Sequence, residues 1–229
     1  MNIIKSTGTF SFYTLISRVL GYLRDILIAI FLGSGALADA FFVAFRIPNT
    51  FRRLFGEGSF NAAFIPSYSK ELIKGKTNAR NFANNIFNLL TIFLLILIAI
   101  VELFMPLFVS IIAPGFKSNP EKFLLAVQLT KITFPFILFV SLASFFSAIL
   151  NSYNKFAAAS AAPIILNIFL ILILLFGKIL EEKLVIYLSY GVSLAGLTQL
   201  IFLIIFVKKY FVPKIQIKFK ITKKIKFFF

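Results

Sequence analysis

The sequence contains no cysteine and no histidine. Disulfides, thiolate nucleophiles and imidazole, whether as metal ligand or general base, are therefore excluded together. Tryptophan is absent as well, and only 8 residues are Asp or Glu against 24 Lys or Arg. Neither Asp-Asp nor Asp-x-Asp occurs, so a membrane acyl- or glycosyltransferase has neither a nucleophile and base nor a metal-bound diphosphate motif to work with. The expectation is a chain that is not an enzyme, binds no cofactor and no metal, and draws its chemistry from carboxylate, lysine, arginine and hydroxyl groups.

What the sequence has in abundance is apolar surface. Hydrophobic residues make up 60% of 229 positions and the mean hydropathy is +0.97, above the roughly 45–50% apolar content of soluble domains. A bilayer core of ~30 Å takes about 20 mainly apolar helical residues per crossing. Apolar runs broken by charge, Pro and Gly give six such spans, near residues 8–32, 37–64, 84–113, 122–150, 158–177 and 184–207. The fold class expected is an all-α integral membrane protein, with a lobe over 1–212 and a basic tail over 213–229. The first span is not a cleaved signal peptide, because Arg18, Arg24 and Asp25 interrupt its apolar core. The 32 Phe, with many Ile, Lys and Asn, read as the codon bias of an AT-rich genome and carry no functional weight.

A net charge of +16 raises the question of nucleic acid. The lysines answer it by their positions. With the N-terminus inside, the cytoplasmic segments hold Lys5, then Lys70, Lys74, Lys76 and Arg80, then Lys155, then eight lysines from Lys208 to Lys226, while the other side holds only Lys117, Lys122, Lys178 and Lys183. That asymmetry follows the positive-inside rule and places both termini in the cytoplasm. Anionic membrane lipid is a sufficient partner for the tail, and nucleic acid is not needed.

Ten charged residues remain inside or at the margins of spans: Arg18, Arg24, Arg46, Arg52, Arg53 and Lys131, with Asp25, Asp39, Glu57 and Glu102. Each costs about 2.5–3.5 kcal/mol at bilayer depth on insertion scales unless it lines a polar space. Arg18 and Asp25 share a helix face at a seven-residue interval, as do Ser17 and Arg24, and Asp39, Arg46 and Arg53 repeat at the same interval. Pro48 cannot donate to the Ala44 carbonyl, so a kink is expected over 45–49. Glu57 follows Arg53 by four residues, a spacing that permits an ion pair. Lys131 and Glu102 read as snorkelling or locally paired. The bland alternative is that the charges pair among themselves and fix helix packing, with Arg46 and Arg53 as orientation anchors. The sharper reading is an anion site, since guanidinium outnumbers carboxylate and its planar fork matches phosphate. From the residues alone the reading stops at a transporter of something anionic.

The same residues carry a resemblance. Ser17-Arg18-Val19-Leu20-Gly21, Arg24-Asp25, the run from Asp39 through Pro48 and Asn49, Arg52-Arg53-Leu54-Phe55-Gly56-Glu57-Gly58 and Ala63-Phe64-Ile65-Pro66 closely resemble the signature of the MurJ/MviN lipid II flippases. Ala113-Pro114-Gly115-Phe116, Ile132-Thr133-Phe134-Pro135, Ala148-Ile149-Leu150-Asn151, Ala162-Pro163 and Leu166-Asn167-Ile168 follow in matching order, so that the resemblance covers about 1–226. It implies one six-helix lobe of a multidrug, oligosaccharidyl-lipid and polysaccharide exporter (MATE-like) fold working by alternating access in the bacterial inner membrane. The cargo it implies is lipid II, the undecaprenyl-diphosphate-linked muropeptide. It further implies Arg18, Arg24 and Arg52 as headgroup ligands, Asp39 and Asp25 as partner carboxylates, Ser17 and Asn49 as neutral hydrogen-bonding groups, and Pro48, Arg53 and Glu57 as structural or gating residues. The family has fourteen helices where six are expected here, so the Lys223–Phe229 ending resembles a seventh helix cut short, and a missing or separately encoded C-terminal lobe is the expected partner. A drug or polysaccharide exporter lobe, or a structural membrane fragment without a transport role, are the alternatives.

Overall fold

A computed structural model describes residues 3–56 and 59–215, and among these the chain is helical with no strand. The order is α1 (Ile3–Leu32), α2 (Ala36–Gly56), α3 (Ser59–Ile73), α4 (Lys76–Leu103), α5 (Met105–Ile112), α6 (Pro120–Thr133), α7 (Phe136–Ser152), α8 (Phe156–Leu175), α9 (Gly177–Leu180) and α10 (Leu184–Val207). Short 3₁₀ turns at Pro114–Ser118 and Glu181–Lys183 complete the connections. α4, α8, α10 and the tandem α6–α7, Pro120–Ser152, are long and apolar enough to cross a bilayer. At 30 residues α1 has a length of about 45 Å, yet Arg18, Arg24 and Asp25 set it apart from those four in composition.

Backbone chemistry accounts for where the helices stop. Gly33, at φ +59, takes the left-handed conformation that ends α1, and its N–H returns to the Ala29 carbonyl at 3.1 Å. The expected span 84–113 begins earlier, at Lys76, and divides after Leu103, where Pro106 opens the short α5. The expected span 37–64 is likewise shared between α2 and α3, and the span 122–150 between α6 and α7, where Pro135 falls at the joint. The last expected span, 184–207, coincides with α10.

Two of these interruptions are repaired from neighbouring helices. Pro48 lies inside α2 and leaves the Ala44 carbonyl without its helical donor. The Thr133 hydroxyl of α6 donates to that carbonyl at 2.8 Å, in a buried position. At the α6–α7 joint the Ser193 hydroxyl of α10 donates to the carbonyl of Ile132. In both places a hydroxyl from another helix covers a main-chain carbonyl beside the break, as an apolar surrounding requires.

α7 is the hub, buried nearly all round, with α2, α3, α4, α8 and α10 against it. α1 stands outside this hub and packs along α8, with only slight contact to α2. One end of the hub is knit by aromatic rings. Phe64 sits 5.5 Å from Phe60, 5.4 Å from Tyr68 and 5.2 Å from Phe145, and Phe211 closes on Phe145 at 5.9 Å. The chain leaving α10 is pinned beside these rings. The Lys214 N–H donates to Asn84 Oδ1 at 3.0 Å and the Asn88 amide donates to the Lys214 carbonyl at 2.9 Å, so that two buried asparagines one turn apart on α4 hold both main-chain groups of one residue.

Close packing of α10 on α7 depends on Gly196, where an added Cβ would lie 2.5 Å from Cδ2 of the fully buried Phe136 ring. The ring is fully buried, so it can yield only against the residues packed around it. Gly196→Ala is therefore expected to destabilise the folded chain by about 1–3 kcal/mol, the usual cost of overpacking. Thermal unfolding in detergent, with Gly8→Ala, which meets nothing within 4 Å, as control, checks it.

Candidate functional site

Stripes on four helices enclose a cavity of about 590 Å³. From α1 come Phe10, Thr14, Ser17, Arg18, Gly21 and Arg24, spaced as one helical face. α7 adds Val140, Ala143, Ser144, Ser147 and Asn151 at the same periodicity, and α8 adds the face that holds Ser160, Pro163 and Asn167. Gln199 and Leu203 of α10, Asn49 of α2 and Asn61 of α3 complete the wall. Among the described lining residues the charged groups are Arg18 and Arg24, and no carboxylate faces the space.

Arg24 is held on three sides. Its Nε and Nη2 donate to Asp25 Oδ1 at 3.0 and 2.7 Å, its Nη1 donates to Asn167 Oδ1 at 2.9 Å, and its guanidinium carbon lies 5.4 Å from the centre of the Phe45 ring. Asn167, only 5% exposed, uses its other end to donate to the Ser17 carbonyl at 2.9 Å. One amide on α8 therefore fixes both the α1 backbone and the guanidinium that α1 carries. The Arg24 side chain is 14% exposed whereas that of Asp25 is 63% exposed. The carboxylate side of the ion pair is thus open and the guanidinium side enclosed. Arg18 is exposed and has no ion-pair partner among the described residues.

Of the residues singled out in the sequence, Ser17, Arg18, Arg24 and Asn49 meet at this cavity, and Asp25 reaches it through Arg24. Pro48 is buried within α2, and Arg53 is exposed near the end of that helix. The Arg52 side chain and Glu57 lie outside the described residues. Asp39 is placed elsewhere. It occupies the first turn of α2, where a carboxylate complements the helix dipole, and is ion-paired with Lys122 of α6, whose ammonium lies 4.4 Å from the centre of the Phe116 ring. Glu102, on α4, has a buried Oε1 with no hydrogen-bond partner among the described residues, and no ion pair joins it to Lys131 there.

Sequence reasoning did not single out Asn167, Ser144, Ser147, Asn151 or Gln199 as site residues. Their signal was available as polar side chains inside otherwise apolar spans, at intervals that put Ser144, Ser147 and Asn151 on one face of α7. For Asn167 the consequence is measurable. Asn167→Leu removes both interhelical hydrogen bonds of the amide and is expected to cost about 1–2 kcal/mol of stability. Chemical or thermal unfolding of the purified variant, set beside Thr198→Ala on the exposed side of α10, checks this.

Comparison with known proteins supplies the family. The family model of the lipid II flippase MurJ matches residues 28–229. A probable lipid II flippase MurJ of Rickettsia prowazekii is 40% identical over 210 residues, 91% of this chain and 41% of the relative. Its counterpart in Aquifex aeolicus is 38% identical over 99% of this chain and 44% of the relative. A solved structure of the lipid II flippase MurJ in an inward closed conformation superposes with a TM-score of 0.73 at 28% identity, over 96% of this chain and 44% of that one. The chain thus spans about two-fifths of the length of the curated relatives it matches. With four stretches suited to cross a bilayer, a cavity fringed by guanidinium and this agreement of sequence and fold, the chain is a multi-pass membrane protein that belongs to the MurJ lipid II flippase family.

Proposed function

We propose that this chain is the N-terminal half of a lipid II flippase, passing the undecaprenyl-diphosphate-linked headgroup from the cytoplasmic to the periplasmic leaflet of the bacterial inner membrane by alternating access. The observation that carries the reading is the cavity in which Arg18 and Arg24 stand with neutral polar groups and no described carboxylate. Such a space suits a diphosphate, which accepts several charge-assisted hydrogen bonds and displaces little in doing so. The protein is a transporter in this reading, not an enzyme, and the polyprenyl tail stays in lipid.

Within it, Asp25 neutralises Arg24 until a stronger anion arrives, and Asn167 keeps the guanidinium aimed at the cavity while that exchange takes place. Ser17 and Asn49 offer neutral hydrogen bonds, and Arg52 is a further headgroup ligand by the family resemblance alone. The lobe spans residues 1–212 and makes six crossings, α2 with α3 supplying the second and both termini facing the cytoplasm, as the distribution of lysines favours. The Asp39–Lys122 pair then lies at the periplasmic end, where it ties the start of α2 to the start of α6. A C-terminal lobe, the part of the relatives that this chain does not span, is the partner that closes the cavity.

Complementation tests the proposal. In a bacterium depleted of its own flippase, the chain supplied together with a C-terminal lobe is expected to restore growth, and Arg18→Ala with Arg24→Ala to abolish that rescue at unchanged membrane levels. Rescue that ignores both arginines would sink the assignment of the cavity. In the same assay Asp39→Asn and Lys122→Met are expected to impair rescue to a similar degree, and the double variant no more than either single one, as members of one ion pair do.

A further inference from the structure

A guanidinium carries five N–H groups, and the described partners of Arg24 take three of them: two go to Asp25 Oδ1 and one to Asn167 Oδ1. The two that remain point outward in the guanidinium plane, where an anion can meet them. The Arg24 guanidinium carbon itself stands over the Phe45 ring of α2, 5.4 Å from its centre. Phe45 is 7% exposed and is not among the residues that line the cavity, so the ring meets the guanidinium without facing the space.

The ring is fixed from its own side. It stacks on the fully buried Phe41 at 5.8 Å, with the two planes 5° apart. The residue before it, Ala44, has its carbonyl tied to the Thr133 hydroxyl of α6 at 2.8 Å. α1 and α2 otherwise touch only slightly, so α2 lends the charge on α1 little besides this face. An aromatic face attracts a cation but accepts no in-plane N–H, so it holds the guanidinium without competing for the donors an anion needs. A carboxylate or amide in its place would consume another N–H, and an aliphatic chain would leave the charge unmatched.

We propose that Phe45 is a positioning residue for Arg24: its ring keeps the guanidinium at the cavity with two N–H groups unspent, and it never touches the cargo. This rests on the anion reading of the cavity given above and adds a residue behind the cavity wall that sets anion affinity.

The probe is a polyprenyl diphosphate, and its binding to the full chain in nanodiscs is followed by microscale thermophoresis. Phe45→Leu is expected to weaken binding about fivefold, the size of a partly desolvated cation–π contact, and Phe45→Tyr, which keeps the ring face, to stay within about twofold of wild type. In an Arg24→Gln background, where Arg18 is left to bind the anion, Phe45→Leu is expected to cost nothing further, because a residue that acts through a guanidinium is silent once that group is gone. A ring that only fills space would cost the same in both backgrounds. That result, or a tyrosine variant as weak as the leucine one, would overturn the proposal. Should Arg24→Gln bind too weakly to score, thermal unfolding of the same four chains of the cycle without lipid replaces it. The two losses in Tm are then expected to be less than additive, and strict additivity overturns the positioning role. Failure of the wild-type chain to bind the diphosphate lipid would instead overturn the anion reading of the cavity, and this inference with it.

Discussion

A guanidinium carried in the last third of a long, mostly apolar helix needs partners from the protein around it, and Arg24 finds a carboxylate, an amide and an aromatic face within one side chain's reach. Much of the architecture can be traced to that requirement. α1 has few neighbours other than α8, and the amide that steadies Arg24 also grips the α1 backbone at Ser17. The helix that brings the charge and the helix that tolerates it are thereby bound as one unit. Across from them α7 and α10 can stay neutral, because the charge has already been met on the α1 side.

The prolines show the same economy in backbone groups. Pro48 frees the Ala44 carbonyl, which Thr133 covers from α6, and at the α6–α7 joint beside Pro135 the Ser193 hydroxyl of α10 covers the Ile132 carbonyl. Pro163 is the third case, and its freed carbonyl borders the cavity. At Pro48 and at the Pro135 joint the breaks carry interhelical ties, and at Pro163 the break lies on the cavity wall. That division follows from where each proline points, since a hydroxyl can cover a carbonyl only where another helix lies against it.

Much of this was legible in the sequence. The apolar runs identify the helices, and α10 runs over the same residues, 184–207, that its apolar run gives. The seven-residue spacing of Ser17 and Arg24, with Arg18 beside them, foretells the shared face that lines the cavity. Pro48 foretells a carbonyl in want of a donor. The donor itself, Thr133, was not readable, because it comes from a helix 89 residues away. Asp39 shows the complementary limit. The family resemblance makes Asp39 a partner carboxylate of the arginines, but a motif does not say which side chain lies beside it, and Asp39 meets Lys122 of α6 and is not among the residues that line the cavity. Phenylalanine content, which looks like mere codon bias, turns out to build the aromatic end of the hub around Phe64 and Phe145.

The clasp on the segment leaving α10 has a consequence of its own. Asn84 and Asn88 engage the peptide groups of Lys214 and not its ammonium, so the identity of residue 214 is free to drift while its trajectory is not. A side chain at that position can be exchanged for almost any other save proline, which has no N–H to offer Asn84. The chain is thus steered by α4 as a rail steers a carriage, indifferent to the load. Whatever charge residue 214 carries can be retuned by substitution without altering the direction in which residue 215 departs.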